Sequence, residues 1–141
     1  MGSEMCIRDR GHYNQEDFAE LVKMDVLKLY QERCEQSGIQ PHRAFMRYLE
    51  ETYDENDALE LIIQGNDKLN FSHKLTDKDI VALCSTLDKY AIYIEDIDLR
   101  YNEISDVGAK QLGDLIMKCQ RLLGLNLQGN RIKSEGAQYL A

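Results

Sequence analysis

The sequence predicts an α/β solenoid, right-handed, with parallel strands on its concave side and helices on its convex side, preceded by an α-helical N-terminal cap. Three observations carry that prediction. An apolar register repeats through the second half of the chain, a helical period runs through the first half, and the composition suits one soluble domain. The 141 residues are 43% apolar and 30% charged, enough apolar content for a real core.

Residues 1–12 are expected to be unstructured. Met1–Arg10 shows neither a helical nor a strand period, and Met5-Cys6-Ile7-Arg8-Asp9-Arg10 resembles a sequencing-library adapter translated into the chain. Read as an artefact, that stretch leaves Cys6, Arg8 and Arg10 without a role. Residues 13–54 form the predicted cap. Asn14 offers an N-cap, Glu16 and Asp17 face the positive end of the helix dipole, and Phe18, Val22, Val26, Leu29 and Tyr30 recur at helical spacing. Gly38 should stop this helix in a Schellman ending, with Ile39 folding back on the last turn. Pro41 suits the first position of a second helix, whose stripe is Phe45, Tyr48, Leu49 and Thr52. The acidic run Glu50–Asp57 reads as a helix end and an exposed linker.

Residues 55–141 are repetitive. Ile94, Ile97, Leu99, Asn102 and Ile104 have the same offsets as Leu122, Leu125, Leu127, Asn130 and Ile132, with the asparagines 28 residues apart. Ile104–Ala109 then matches Ile132–Ala137, and Leu112 matches Leu140. A looser first copy has Ala58, Leu61, Ile63 and Asn66, and resumes at Leu75-Thr76-Asp77 after a seven-residue insertion. Alternation puts Ile97 and Leu99 inward on a short strand and their neighbours outward. An asparagine at the bend, with amide donors and a carbonyl acceptor, can satisfy the backbone groups there; Asn66, Asn102 and Asn130 take that structural role. Gly108 and Gly136 allow close packing at the helix starts, and Asp106 and Ser134 are expected as N-caps.

This pattern resembles the leucine-rich repeat, and its 28-residue spacing resembles the ribonuclease-inhibitor-like class, in which a strand pairs with a full helix. About three copies are present. The first departs, with Asp79 at the glycine position and an inserted loop, Asn70–Lys74. The third stops partway through its helix at Ala141, which would leave an apolar face uncovered, so the chain reads as an N-terminal fragment of a longer repeat protein.

Chemistry is sparse. The net charge of −8 argues against nucleic acid and anionic membranes as partners. No apolar run is long enough to span a bilayer, and no secretory signal opens the chain, so the cytoplasm or nucleus is the expected location. Cys6, Cys34, Cys84 and Cys119 are scattered, which suits neither a disulfide framework nor zinc; the last three read as small core hydrophobes. His12, His42 and His73 lie at no ligand spacing. Asp54-Glu55-Asn56-Asp57 begins like a calcium loop, but Leu59 stands where its sixth-position glycine is required. Gly65 and Gly129 are single turn glycines, not a phosphate loop. No catalytic residue, metal, cofactor or small-molecule substrate is expected.

The outward strand residues are the candidate binding surface: Glu60, Ile62 and Gln64 in copy one, Asp96, Asp98 and Arg100 in copy two with Tyr101 at the rim, and Gly124, Asn126 and Gln128 in copy three. The resemblance implies that this concave face binds a protein, and its carboxylates favour a basic one. Arg100 and Tyr101 are the leading anchors, being of the residue types that dominate interface energetics. Phe71, His73 and Lys74 in the inserted loop form a second candidate contact, with Phe71 favouring packing onto the cap. The expected function is therefore a non-catalytic protein-interaction scaffold. The alternative is a small-GTPase activator, for which Arg100 and Arg131 are the arginines at strand ends.

Overall fold

The computed structural model describes residues 15–53, 58–66 and 73–140. Expectations placed on Asn14, Asp54–Asp57, Lys68–Phe71 and Ala141 lie outside the described residues. The first helix, α1 (Gln15–Ser37), sets Val22, Val26, Tyr30 and Cys34 on one buried stripe against the helix that follows the first strand. It ends as its glycine dictates. Gly38 adopts φ 69°, its N–H donates to the carbonyl of Glu35 at 3.2 Å, and the Ile39 N–H reaches the carbonyl of Cys34 at 3.0 Å.

The short α2 (Arg43–Arg47) does not start on Pro41. Its N-cap is His42, held extended by buried hydrogen bonds to other elements, and the His42 Nδ1 accepts from the Ala44 N–H at 3.2 Å. The helix widens into one π-type turn, Tyr48–Thr52, closed by the Tyr53 N–H on the Tyr48 carbonyl at 2.9 Å. Phe45, Leu49 and Tyr53 are buried, so the acidic run expected to be an exposed linker carries a core tyrosine. Tyr30 and Phe45 meet edge to face with ring centroids 4.8 Å apart, which joins the two helices.

Three strand–turn–helix units follow: β1 (Leu59–Ile62) with α3 (Asp77–Leu87), β2 (Ile94–Asp98) with α4 (Asp106–Ile116), and β3 (Gly124–Asn126) with α5 (Ser134–Leu140). The strands form one parallel sheet in chain order. Leu61 pairs with Ile97 and Ile97 with Leu125, the register expected from the offsets. One position is corrected. Leu59, not Ala58, stands opposite Ile94, because an irregularity between Leu59 and Glu60 absorbs one residue. Leu59, Leu61 and Ile63 are buried on one face, as are Ile94, Ile97 and Leu99, while Leu125 at the outer edge is 40% exposed.

Polar links tie each unit to the next. The buried Asn102 accepts from the Leu75 N–H at 2.8 Å and donates to the carbonyls of Ile63, Leu99 and Arg100 at 2.8, 3.0 and 3.2 Å. Asn130 repeats this one unit on, accepting from Ile104 at 3.1 Å and donating to Leu99 and Leu127 at 2.8 and 2.9 Å. Asn66, in the turn after β1, is exposed.

A second ladder runs along the helix starts. Ser105, not Asp106, caps α4, and Asp106 is its first helical residue, as Ser134 is of α5. The Asp106 carboxylate is spent on the next unit, accepting from the Lys133 N–H at 2.7 Å. Asp77 does the same one unit earlier, accepting from the N–H groups of Ser105 and Gly108 at 2.8 and 3.1 Å. A Cβ on Gly108 would lie 2.5 Å from that Asp77 oxygen and 2.7 Å from the Ile104 Cγ2. Gly108→Ala is therefore expected to destabilise by about 1–3 kcal/mol. Urea unfolding checks this, and a neutral result would mean that the α3–α4 contact is looser than these distances require.

Candidate interaction face

The candidate face is the side of the sheet turned away from the helices. Register sets its outward residues in rows. Glu60, Asp96 and Gly124 lie side by side, followed by Ile62, Asp98 and Asn126. Beyond the strands the ladder continues through Gly65 N–H to the Arg100 carbonyl at 2.9 Å and Tyr101 N–H to the Gln128 carbonyl at 2.8 Å, which brings Gln64, Arg100 and Gln128 into a third row. Seven of the eight candidate partner-binding residues fall in these rows, and Tyr101 follows Arg100 at their rim.

The charges on it are not all free. Arg100 donates to Asp98 through two guanidinium nitrogens, Nε to Oδ1 and Nη2 to Oδ2, both at 3.0 Å. The Gln64 side-chain amide donates to the same Oδ2 at 3.0 Å. Burial alone would raise the Asp98 carboxyl, but the Arg100 and Gln64 hydrogen bonds outweigh it and hold the group below its ordinary value. The expected pair of carboxylates for a basic ligand thus reduces to Asp96, with Glu60 across from it, since Asp98 already has its cation. Spacing of two along a strand puts residues on the same face, and the sequence carried that signal in Asp98 and Arg100.

Tyr101 holds a left-handed backbone, φ 61°, at the place where the neighbouring copies have Gly65 and Gly129. Its carbonyl oxygen would be 1.9 Å from a Cβ on Gly65, and its ring lies over Gly129, where a Cβ would meet Cδ1 at 2.4 Å. Glycine on either side makes room for the tyrosine, whose conformation costs about 1–2 kcal/mol. Gly124 is bare in the same sense, with an Asp96 oxygen 2.8 Å from where its Cβ would be. Arg131, the other arginine considered, is exposed and lies 4.0 Å from Glu103.

The second candidate contact divides. Phe71 lies outside the described residues, Lys74 is exposed, and the His73 Nε2 sits 3.1 Å from the buried Asp79. Sequence reasoning missed His42, which is fully buried; only a hydrogen-bonding partner on another element marks it, and no local pattern announces that. Among the described residues no group of three or more His, Cys, Asp or Glu could hold a metal ion, and no helix is long and apolar enough to cross a membrane.

A leucine-rich repeat family model matches residues 91–113 and 118–141, the stretches that hold β2 with most of α4 and β3 with α5. The chain therefore carries two leucine-rich repeats in tandem, and β1 with α3 precedes them. No curated protein matches the chain.

Proposed function

We propose that the chain is a non-catalytic interaction scaffold, a leucine-rich-repeat solenoid of the ribonuclease-inhibitor-like class that takes a protein partner on its concave strand face. The observation that carries this reading is the alignment of Glu60, Gln64, Asp96, Asp98, Arg100, Asn126 and Gln128 in three rows of one sheet, with Tyr101 at its rim. Leucine-rich repeats are commonly protein-interaction modules, which supports it. The helices α1 and α2 act as the N-terminal cap, and together with the insertion after Asn66 they resemble leucine-rich repeat-containing protein 34. A basic partner suits the net charge of −8 and the Asp96 and Glu60 carboxylates, through faster encounter more than tighter binding.

The test compares variants of the full chain in affinity capture from cell extract. Asn126→Arg with Gln128→Arg should abolish one discrete set of captured proteins, while Lys110→Glu on α4 should leave it intact. Losses that follow Lys110→Glu instead would overturn the concave-face reading. Stimulated GTP hydrolysis by a captured small GTPase would replace the scaffold with the activator.

Asp98→Ala is expected to weaken capture while costing about 1–2 kcal/mol of stability, since the carboxylate is mostly buried and its bonds to Arg100 and Gln64 are lost with it. A thermal melt checks the second half. A large loss would show that Asp98 holds the strands together rather than the partner.

A further inference from the structure

Three elements converge on His42, two of them on its imidazole. The backbone N–H of His42 donates to the Tyr30 hydroxyl of α1 at 2.8 Å, its Nε2 lies 2.7 Å from the His73 carbonyl in the segment entering α3, and its Nδ1 caps α2. The His73 ring meets it edge-on, with centroids 5.0 Å apart. His73 in turn faces Asp79, whose other oxygen accepts from the Thr76 N–H at 2.9 Å where α3 begins. These partners admit one protonation state. A nitrogen facing an amide N–H must be bare, and one facing a carbonyl must carry the proton. A second proton would aim N–H at N–H, cancel the cap of a five-residue helix, and leave a charge in a site sealed from water.

We propose that His42 is a pH-sensitive latch, which ties α2 to the segment entering α3 while neutral and releases it when protonated. The strands β2 and β3 and the helix α4 are joined by their own asparagine and aspartate ladders, away from His42, and stay folded through the change.

The titratable groups facing His42 are Tyr30 on α1, His73, and Asp79 on α3, with Cys34 beside Tyr30. Burial pushes the Tyr30 hydroxyl and the Cys34 thiol up, so neither ionises in acid. For His42, burial disfavours the charge; the His73 carbonyl and the Asp79 carboxylate favour it, a charged His73 opposes it, and the net effect lies below the ordinary histidine value. The released form therefore takes its proton first, near pH ~6.5, and the latch weakens progressively as pH falls from there.

Heteronuclear NMR on the full chain, titrated from about pH 7.5 to about pH 5, tests this. The His42 Cε1–H is expected to titrate below the ordinary histidine range, and amides of Arg43–Leu49 and of Lys74–Thr76 to move on the same curve, while those of Ile97–Leu99 and Ala109–Leu115 hold still. His42→Asn keeps an acceptor for the Ala44 N–H without a titrating group and should flatten the curve; His73→Gln should leave a transition in place. The latch is overturned if the same amides titrate in His42→Asn, if all amides move together, or if His42 titrates while they do not. The last two comparisons need only the wild-type chain, so they stand even where a variant fails to fold.

Discussion

Asn102→Ala is expected to lower the free energy of unfolding by about 3–5 kcal/mol, a loss expected from so small a side chain only because of what it leaves behind. The substitution strands the Leu75 N–H and the Ile63 carbonyl, which belong to the preceding unit and lie in a site with almost no solvent access. Each buried polar group left unmade costs about 1–3 kcal/mol, and the bonds to Leu99 and Arg100 go as well. Asn130→Ala should cost less, because that side chain is half-exposed and water can replace part of it. Asn66→Ala should fall within about 0.5 kcal/mol, being exposed in the turn after β1. Urea unfolding of the three variants, followed by circular dichroism, ranks them. Should Asn102→Ala prove no worse than Asn66→Ala, the asparagine is a solvated turn residue and the units are joined by their apolar rows alone.

The three asparagines also separate what is legible in the sequence from what is not. The strand register was legible, since period-two alternation and a constant offset to the asparagine fix both which face is buried and which residues pair across strands. Ile97 and Leu125 fall together for that reason. Positions set by contacts between units were not. The insertion after Asn66 marks the first copy as a departure, but what makes Asn102 costly to lose is the N–H that the preceding unit presents to it. The same limit explains Asp106, read as a cap for its own helix when its carboxylate serves the N–H of Lys133 in the next. His42 is the extreme case, since its partners lie 12 and 31 residues away. On the candidate face the rows were legible and the spacing of two pairs Asp98 with Arg100, but the reach of Gln64 from the neighbouring strand was not, and the two bonds leave Glu60 and Asp96 as the carboxylates open to a basic ligand.

Leu99→Ala should destabilise by about 2–5 kcal/mol, the cost of a cavity at a leucine with no solvent access. Its row runs through Ile63, Leu99 and Leu127, one residue from each unit, so the middle position is covered on both sides. Leu127 is covered on one side only and is half-buried, and Leu127→Ala should therefore cost about 1–2 kcal/mol, since the cavity opens to water and fewer contacts are lost. The difference between the two leucines is the informative quantity. A neutral Leu99→Ala would mean the inward and outward faces of β2 are exchanged, and with them the whole candidate surface. Equal, large losses would mean Leu127 is covered in solution by something beyond the described residues, and the loss at Leu127 alone should then depend on protein concentration if the cover is a second copy. Unequal losses, large at Leu99 and small at Leu127, identify a stack whose units bury one another in sequence, which is the physical requirement for a face built of equivalent rows.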